Sequence, residues 1–130
     1  MNFLENNMFD LSKKVIDYLW QKQTITSNNI ANAETPGYKA KYITFEEELQ
    51  KRLDSQYGKT ANEIKRGIAS VRPEIHKTTN ESSRMDENNV NVDVESMELA
   101  KAALQYEFML KSLNDDLTRL RTVIKGWKEL

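Results

Sequence analysis

A chain of 130 residues with 38% hydrophobic and 30% charged residues is lean for a round core of that size, so one thin or elongated domain is expected. Its 19 basic and 20 acidic residues nearly cancel and neither sign gathers into a long block, which argues against a nucleic-acid partner. With no cysteine, disulfides, thiolate catalysis and thiolate metal sites are excluded together.

The opening MNFLENNMFDLSKK has neither a basic start nor an unbroken apolar run, so it is not expected to act as a cleavable secretion signal, and no stretch of the chain is long and apolar enough to span a bilayer. Leu4, Met8, Leu11, Val15, Tyr18 and Ile25 alternate by threes and fours, with Ile16 and Leu19 widening the stripe. That spacing predicts an amphipathic core helix over residues 1–34. Lys22 and Asn29 interrupt the apolar face, and the helix turns polar as it enters SNNIANAETPGYKAK.

There Asn28, Asn29 and Asn32 stand among Ile30, Ala31 and Ala33, followed by Thr35-Pro36-Gly37-Tyr38. Asparagine amides can pair across a helix interface at less desolvation cost than an ion, and small alanines let backbones approach. The plainer reading, that three asparagines simply weaken and end a helix, leaves the sharp stop unexplained. Proline drives the residue before it out of helical geometry, and Gly37 can supply the positive φ of a Pro-Gly turn.

Residues 35–53 read as that turn and a short helix through about Leu53, begun by a capping box at Thr44 and Glu47. Residues 54–84 are polar, carry Gly58, Gly67 and Pro73, and keep no period; they read as a variable, flexible segment with a little strand around Ile68–Ile75. His76, the sole histidine, reads as a solvated loop residue. The acidic run Asp86-Glu87-Asn88-Asn89 with Asp93 and Glu95 lacks the glycine of a calcium loop and places apolar Val90 where an oxygen is needed, so a solvated turn is preferred.

Residues 85–130 read as an extended lead-in, from the alternation of Val90, Val92 and Val94, then a long helix capped by Asp93. Leu99, Ala103, Tyr106, Leu110, Leu113, Leu117, Leu120, Ile124 and Trp127 keep the four-three spacing of a coiled-coil seam, and Met97, Ala100, Leu104 and Phe108 add a second stripe. At ~1.5 Å per residue such a helix is roughly 50 Å long. The expected fold is all-α: two long terminal helices forming an α-helical coiled coil, a short helix, and an irregular, partly disordered middle. The second stripe then needs a cover from neighbouring subunits. Glu46-Glu47 and Asp115-Asp116 are sequence neighbours that do not face one another, and no Gly-rich phosphate cradle or catalytic constellation is present, so neither an enzyme, a small-molecule substrate, a cofactor nor a metal is expected.

SNNIANAETPGYKA resembles the N-terminal signature of the bacterial flagellar axial proteins, the rod, hook and hook-associated family. NNVNVDVESMELAKAALQYEFMLKSLN ahead of a heptad helix, in so short a chain, is similar to the small proximal rod subunits of that family. The resemblance implies a non-enzymatic building block of the basal-body rod, exported unfolded by the flagellar type III export apparatus without a cleaved signal peptide. It further implies assembly in the periplasm into a helical shaft that carries torque, with other rod subunits and the membrane-ring/rod junction protein as partners. Carried onto this chain, the assembly motif is Asn28, Asn29, Ile30, Ala31, Asn32, Thr35, Pro36, Gly37 and Tyr38, and the C-terminal assembly segment is Asn91, Val92, Asp93, Glu95 and Met97. The pattern departs at one place: relatives commonly have glycine after the aspartate preceding that segment, whereas Asp86 is followed by Glu87. A cytoplasmic coiled-coil adaptor or export chaperone is the competing reading; it shares the helices but has no use for the Pro-Gly-bounded asparagines.

Overall fold

The computed structural model describes residues 3–55, 57–79 and 84–129, with side chains from Asn7 onward. In chain order the elements are α1 (Phe3–Ala31), β1 (Lys41–Thr44), α2 (Glu46–Asp54), α3 (Ala61–Ser70), β2 (Glu74–Lys77) and α4 (Val92–Lys128). The fold is mostly helical, with one small two-stranded sheet that the all-α expectation did not include.

The two terminal helices pack against each other and run antiparallel. Near one end Asn29 meets Glu95 and Lys22 meets Glu98; farther along, Trp20 lies 5.8 Å from Tyr106, ring centre to ring centre. By that register the start of α1 falls opposite about residue 121, so the last two turns of α4, roughly 12 Å at ~1.5 Å per residue, run on past it. The face of α4 turned to α1 is not quite the apolar seam. Ala102 is its one fully buried side chain, and Glu95, Glu98, Gln105 and Met109 share its strip at three-four spacing. Two carboxylates on that strip hide it from a search for apolar periodicity. Leu99, Ala103, Tyr106, Leu110, Leu113, Leu117 and Leu120 flank the strip half-buried, while Ile124 and Trp127 are exposed on the overhang.

The middle of the chain is more ordered than its composition predicts. β1 and β2 pair antiparallel, with Tyr42 opposite His76 and Ile43 opposite Ile75. The expected strand at Ile68–Ile75 is therefore displaced to Glu74–Lys77, and His76 is a ladder residue, stacked on Tyr42 and within 2.9 Å of the Thr44 hydroxyl, rather than a free loop side chain. That contact also removes the expected capping box: Thr44 belongs to β1, and α2 starts at Glu46 with Phe45 at its N-cap and no side-chain cap. The Phe45 side chain is recruited to the core instead, stacked on Tyr18 at 4.9 Å and packed with Leu19, Ile43 and Val71.

The segment read as irregular contains a whole helix. Thr60 and Glu63 form a complete capping box at the head of α3, the Thr60 side chain accepting from the Glu63 N–H and the Glu63 carboxylate accepting from the Thr60 N–H. At its far end the Lys14 ammonium donates to the carbonyls of Ile68, Ala69 and Val71 at 2.7–2.9 Å. A cation there satisfies orphan carbonyls and complements the helix dipole. Burial, and secondarily the charge of Arg72, lower the pKa of this lysine.

Candidate functional site

The asparagine-rich end of α1 meets the start of α4 at a polar junction built around one side chain. Asn29 is 1% exposed. Its Nδ2 donates to the Lys41 carbonyl at 2.7 Å and to Glu95 Oε2 at 3.0 Å; its Oδ1 accepts from the Lys41 N–H at 2.9 Å and from the Tyr38 hydroxyl at 3.0 Å. Four hydrogen bonds exhaust the capacity of two donor hydrogens and one carbonyl oxygen, the condition under which a buried amide is inexpensive. The amide thus ties the end of α1, the first residue of β1 and the first turn of α4 at one point. Burial, then the Glu95 charge, raise the Tyr38 pKa, so its hydroxyl stays a donor.

The stop after α1 takes the expected Pro-Gly form. Tyr38 N–H donates to the Thr35 carbonyl at 3.2 Å across Pro36 and Gly37, and Gly37 has φ 72°. A second strand of chain clamps this turn. Asn88 is completely buried and its Nδ2 donates to the carbonyls of both Asn32 and Thr35 at 2.8 Å, Asn89 Oδ1 accepts from the Ala40 N–H, and Gly37 N–H donates to the Asp86 carbonyl at 2.6 Å. Arg84 reaches the Ala33 carbonyl and pairs with Asp86. The acidic run read as a solvated turn is thus the junction's outer brace, its polar atoms directed at backbone. Glu87 within it sits at φ 60°, the left-handed conformation that glycine adopts without cost.

α4 is capped by Asn91, whose Oδ1 accepts from the Val94 N–H at 3.2 Å, and not by Asp93, and its helix takes in Val92 and Val94, two of the three valines read as extended, leaving Val90 before it. Beside the Asn29–Glu95 hydrogen bond, Lys22 pairs with Glu98 at 3.0 Å. Burial opposes charge on Lys22, but the hydrogen bond to Glu98 and nearby negative charge outweigh it and its pKa is raised; the same hydrogen bond holds the Glu98 carboxyl below its ordinary value.

The residues singled out from sequence therefore divide. Asn29, Asn32, Gly37, Tyr38, Asn91 and Glu95 are used inside the chain, with Asn32 Nδ2 closing on the Asn28 carbonyl and its Oδ1 accepting from Thr35. The side chains of Asn28, Ala31, Thr35, Pro36, Val92, Asp93 and Met97 are exposed, and Ile30 is half-buried. Sequence reasoning placed Asn88 and Asn89 in a solvated turn and did not single out Ala102; the two asparagines' signal was an odd concentration of amides before a helix. Among the described residues no cluster of His, Asp or Glu could hold a metal, and no helix is long and apolar enough to cross a membrane.

A family model described as flagella basal body rod protein matches residues 19–39, the last half of α1 and the Pro-Gly turn. Flagellar basal body rod protein FlgB of Bacillus subtilis (strain 168) is 33% identical over 114 residues, 82% of this chain and 84% of that protein. The chain belongs to the flagellar basal-body rod protein family. FlgB of Aquifex aeolicus (strain VF5) is 32% identical over 92% of this chain, and FlgB of Buchnera aphidicola subsp. Acyrthosiphon pisum (strain APS) 30% identical over 93%, each alignment covering at least 94% of the relative. In this rod-family chain, then, the span matched by the family model ends in the junction just described, with Asn29 at its centre.

Away from the junction this member of the rod family leaves a large apolar surface uncovered. Leu104 is 69% and Phe108 71% exposed beside a groove of about 410 Å³ between α1, α2 and α4, whose floor is Tyr18, Leu19 and Phe45. Met97, Val123, Ile124 and Trp127 extend the exposed apolar residues to both ends of α4. A lone soluble chain rarely carries so much exposed apolar surface along one helix without a partner for it.

Proposed function

We propose that this chain is a structural subunit of the flagellar basal-body rod, at its proximal end, and that it packs helically with its own and kindred copies into the shaft that carries motor torque to hook and filament. The observation that carries the reading is the match to rod proteins over more than nine-tenths of the chain. The uncovered apolar length of α4 supports it, since a subunit built to be packed on several sides has a use for such a surface. Contacts between subunits are assigned to the exposed rim of the junction, Asn28, Ala31, Thr35 and Pro36, to Val92, Asp93 and Met97, and to the seam from Leu99 to Trp127, which completes a coiled coil only in the assembly. The partners are other rod subunits and the membrane-ring/rod junction protein, in the periplasm. Delivery there is by the flagellar type III export apparatus as an unfolded chain, for which a monomer of modest stability is suited. The work is structural rather than catalytic.

Deleting the gene in its flagellated host tests the reading: rods and swimming should be lost and should return with the unsubstituted gene, and the subunit should be recovered in isolated basal bodies. Unimpaired swimming of the deletion strain would overturn it. Recovery of the protein only from the soluble fraction would favour a cytoplasmic adaptor or export chaperone instead.

A further inference from the structure

The overhanging end of α4 and the open groove have complementary chemistry, and one chain cannot bring them together. Leu120, Val123, Ile124 and Trp127 lie on one side of the helix, flanked by Arg121, Lys125 and Lys128. The groove is apolar at its floor and rimmed by Glu46, with Glu47 and Glu48 following in the exposed first turn of α2. Its wall also carries an unused acceptor, the buried Gln105 Oε1, and an indole is a donor with no acceptor of its own. Ile124 and Leu104 are twenty residues apart on the same unbroken helix, roughly 30 Å at ~1.5 Å per residue, so the tail cannot fold back into its own groove.

We propose that the basic, apolar C-terminal turns of α4 dock in the groove between α1, α2 and α4 of a second copy of this chain. The contact is heterologous: tail and groove are different surfaces, so each subunit keeps a free tail at one end and a free groove at the other. Such contacts propagate as open helical arrays unless the rotation happens to close. The proposal deepens the rod reading and rests on it for its setting, while the contact itself is testable in the purified chain.

The absence of cysteine makes the test clean. Leu104→Cys and Ile124→Cys chains, each substituted at an exposed position and checked for unchanged helicity, are purified, mixed at high concentration and oxidised with copper-phenanthroline. The expected product is the mixed disulfide, well in excess of either homodimer. Its yield should drop on the order of tenfold or more when Trp127→Ala is added to the Ile124→Cys chain, as for an anchoring aromatic. Raised salt should lower it too, as the charge complementarity requires. Homodimers alone, which mark a groove-to-groove or tail-to-tail pairing, or no cross-linking, would overturn the proposal. Complementation of the deletion strain separates the two levels. If Trp127→Ala restores rods fully, tail docking is wrong and the rod reading stands; if the unsubstituted gene restores nothing, the rod reading itself fails.

Discussion

At the level of single residues, Asn29 is where the span matched by the family model is tied into the tertiary fold by four hydrogen bonds. Asn29→Ala strands the Tyr38 hydroxyl, the Lys41 amide and Glu95 around a small cavity, and should destabilise the isolated chain by about 3 kcal/mol, read from urea unfolding. Asn28→Ala, one position away and exposed, should stay within about 0.5 kcal/mol, so any defect it causes in rod formation would report on contacts between subunits. Glu87 carries the opposite signature. Because it holds a left-handed conformation, Glu87→Gly should stabilise the chain by about 1 kcal/mol, visible as a higher urea midpoint. The sequence pointed to the asparagines as a group, but their division into buried and exposed members was not legible there. Position 29 differs from position 28 only in facing β1 and α4, which is a property of the tertiary fold.

Among the elements, α3 and the Lys22–Glu98 pair make separable contributions. Thr60→Ala removes the hydroxyl half of the capping box, leaving the backbone N–H from which the Glu63 carboxylate accepts, and should cost about 1 kcal/mol, appearing as faster amide hydrogen exchange confined to α3. For the ion pair the sign follows from the two shifts. Glu98 is held below the ordinary carboxylate value, so its stabilisation is present above that value and is lost as pH falls through the folded one; Lys22 is held above the ordinary lysine value, so its share is present below that value and disappears as pH rises through the folded one. Stability should therefore be flat between the two and fall at both extremes, and Glu98→Gln should flatten the acid limb. Both partners keep some solvent exposure, so a double-mutant cycle at neutral pH should return no more than about 1 kcal/mol. The long helices were legible because their period is sustained over many turns. α3 was not: its ten residues include Gly67, its apolar positions are few, and it is held by a capping box and by Lys14 from a helix more than fifty residues away. Thr44 misled for the same reason, since local sequence matched a cap while the strand partner His76 claimed the hydroxyl.

For the whole molecule, the thin composition is realised as two antiparallel helices with a small polar junction at one end, an uncovered apolar face, and an overhang at the other end. Folding satisfies the Asn29 amide at the junction and leaves much of the greasy surface for later. That division fits a subunit whose order increases as it is packed, because burial against neighbours adds to stability by mass action. The most direct measurement is thiol labelling at Phe108→Cys and Ile124→Cys, each introduced singly into this cysteine-free chain and compared between the purified monomer and isolated basal bodies. Both positions should react freely with maleimide in the monomer and be protected in the rod; equal reactivity in the two states would contradict the claim that neighbouring subunits cover the exposed apolar surfaces of α4.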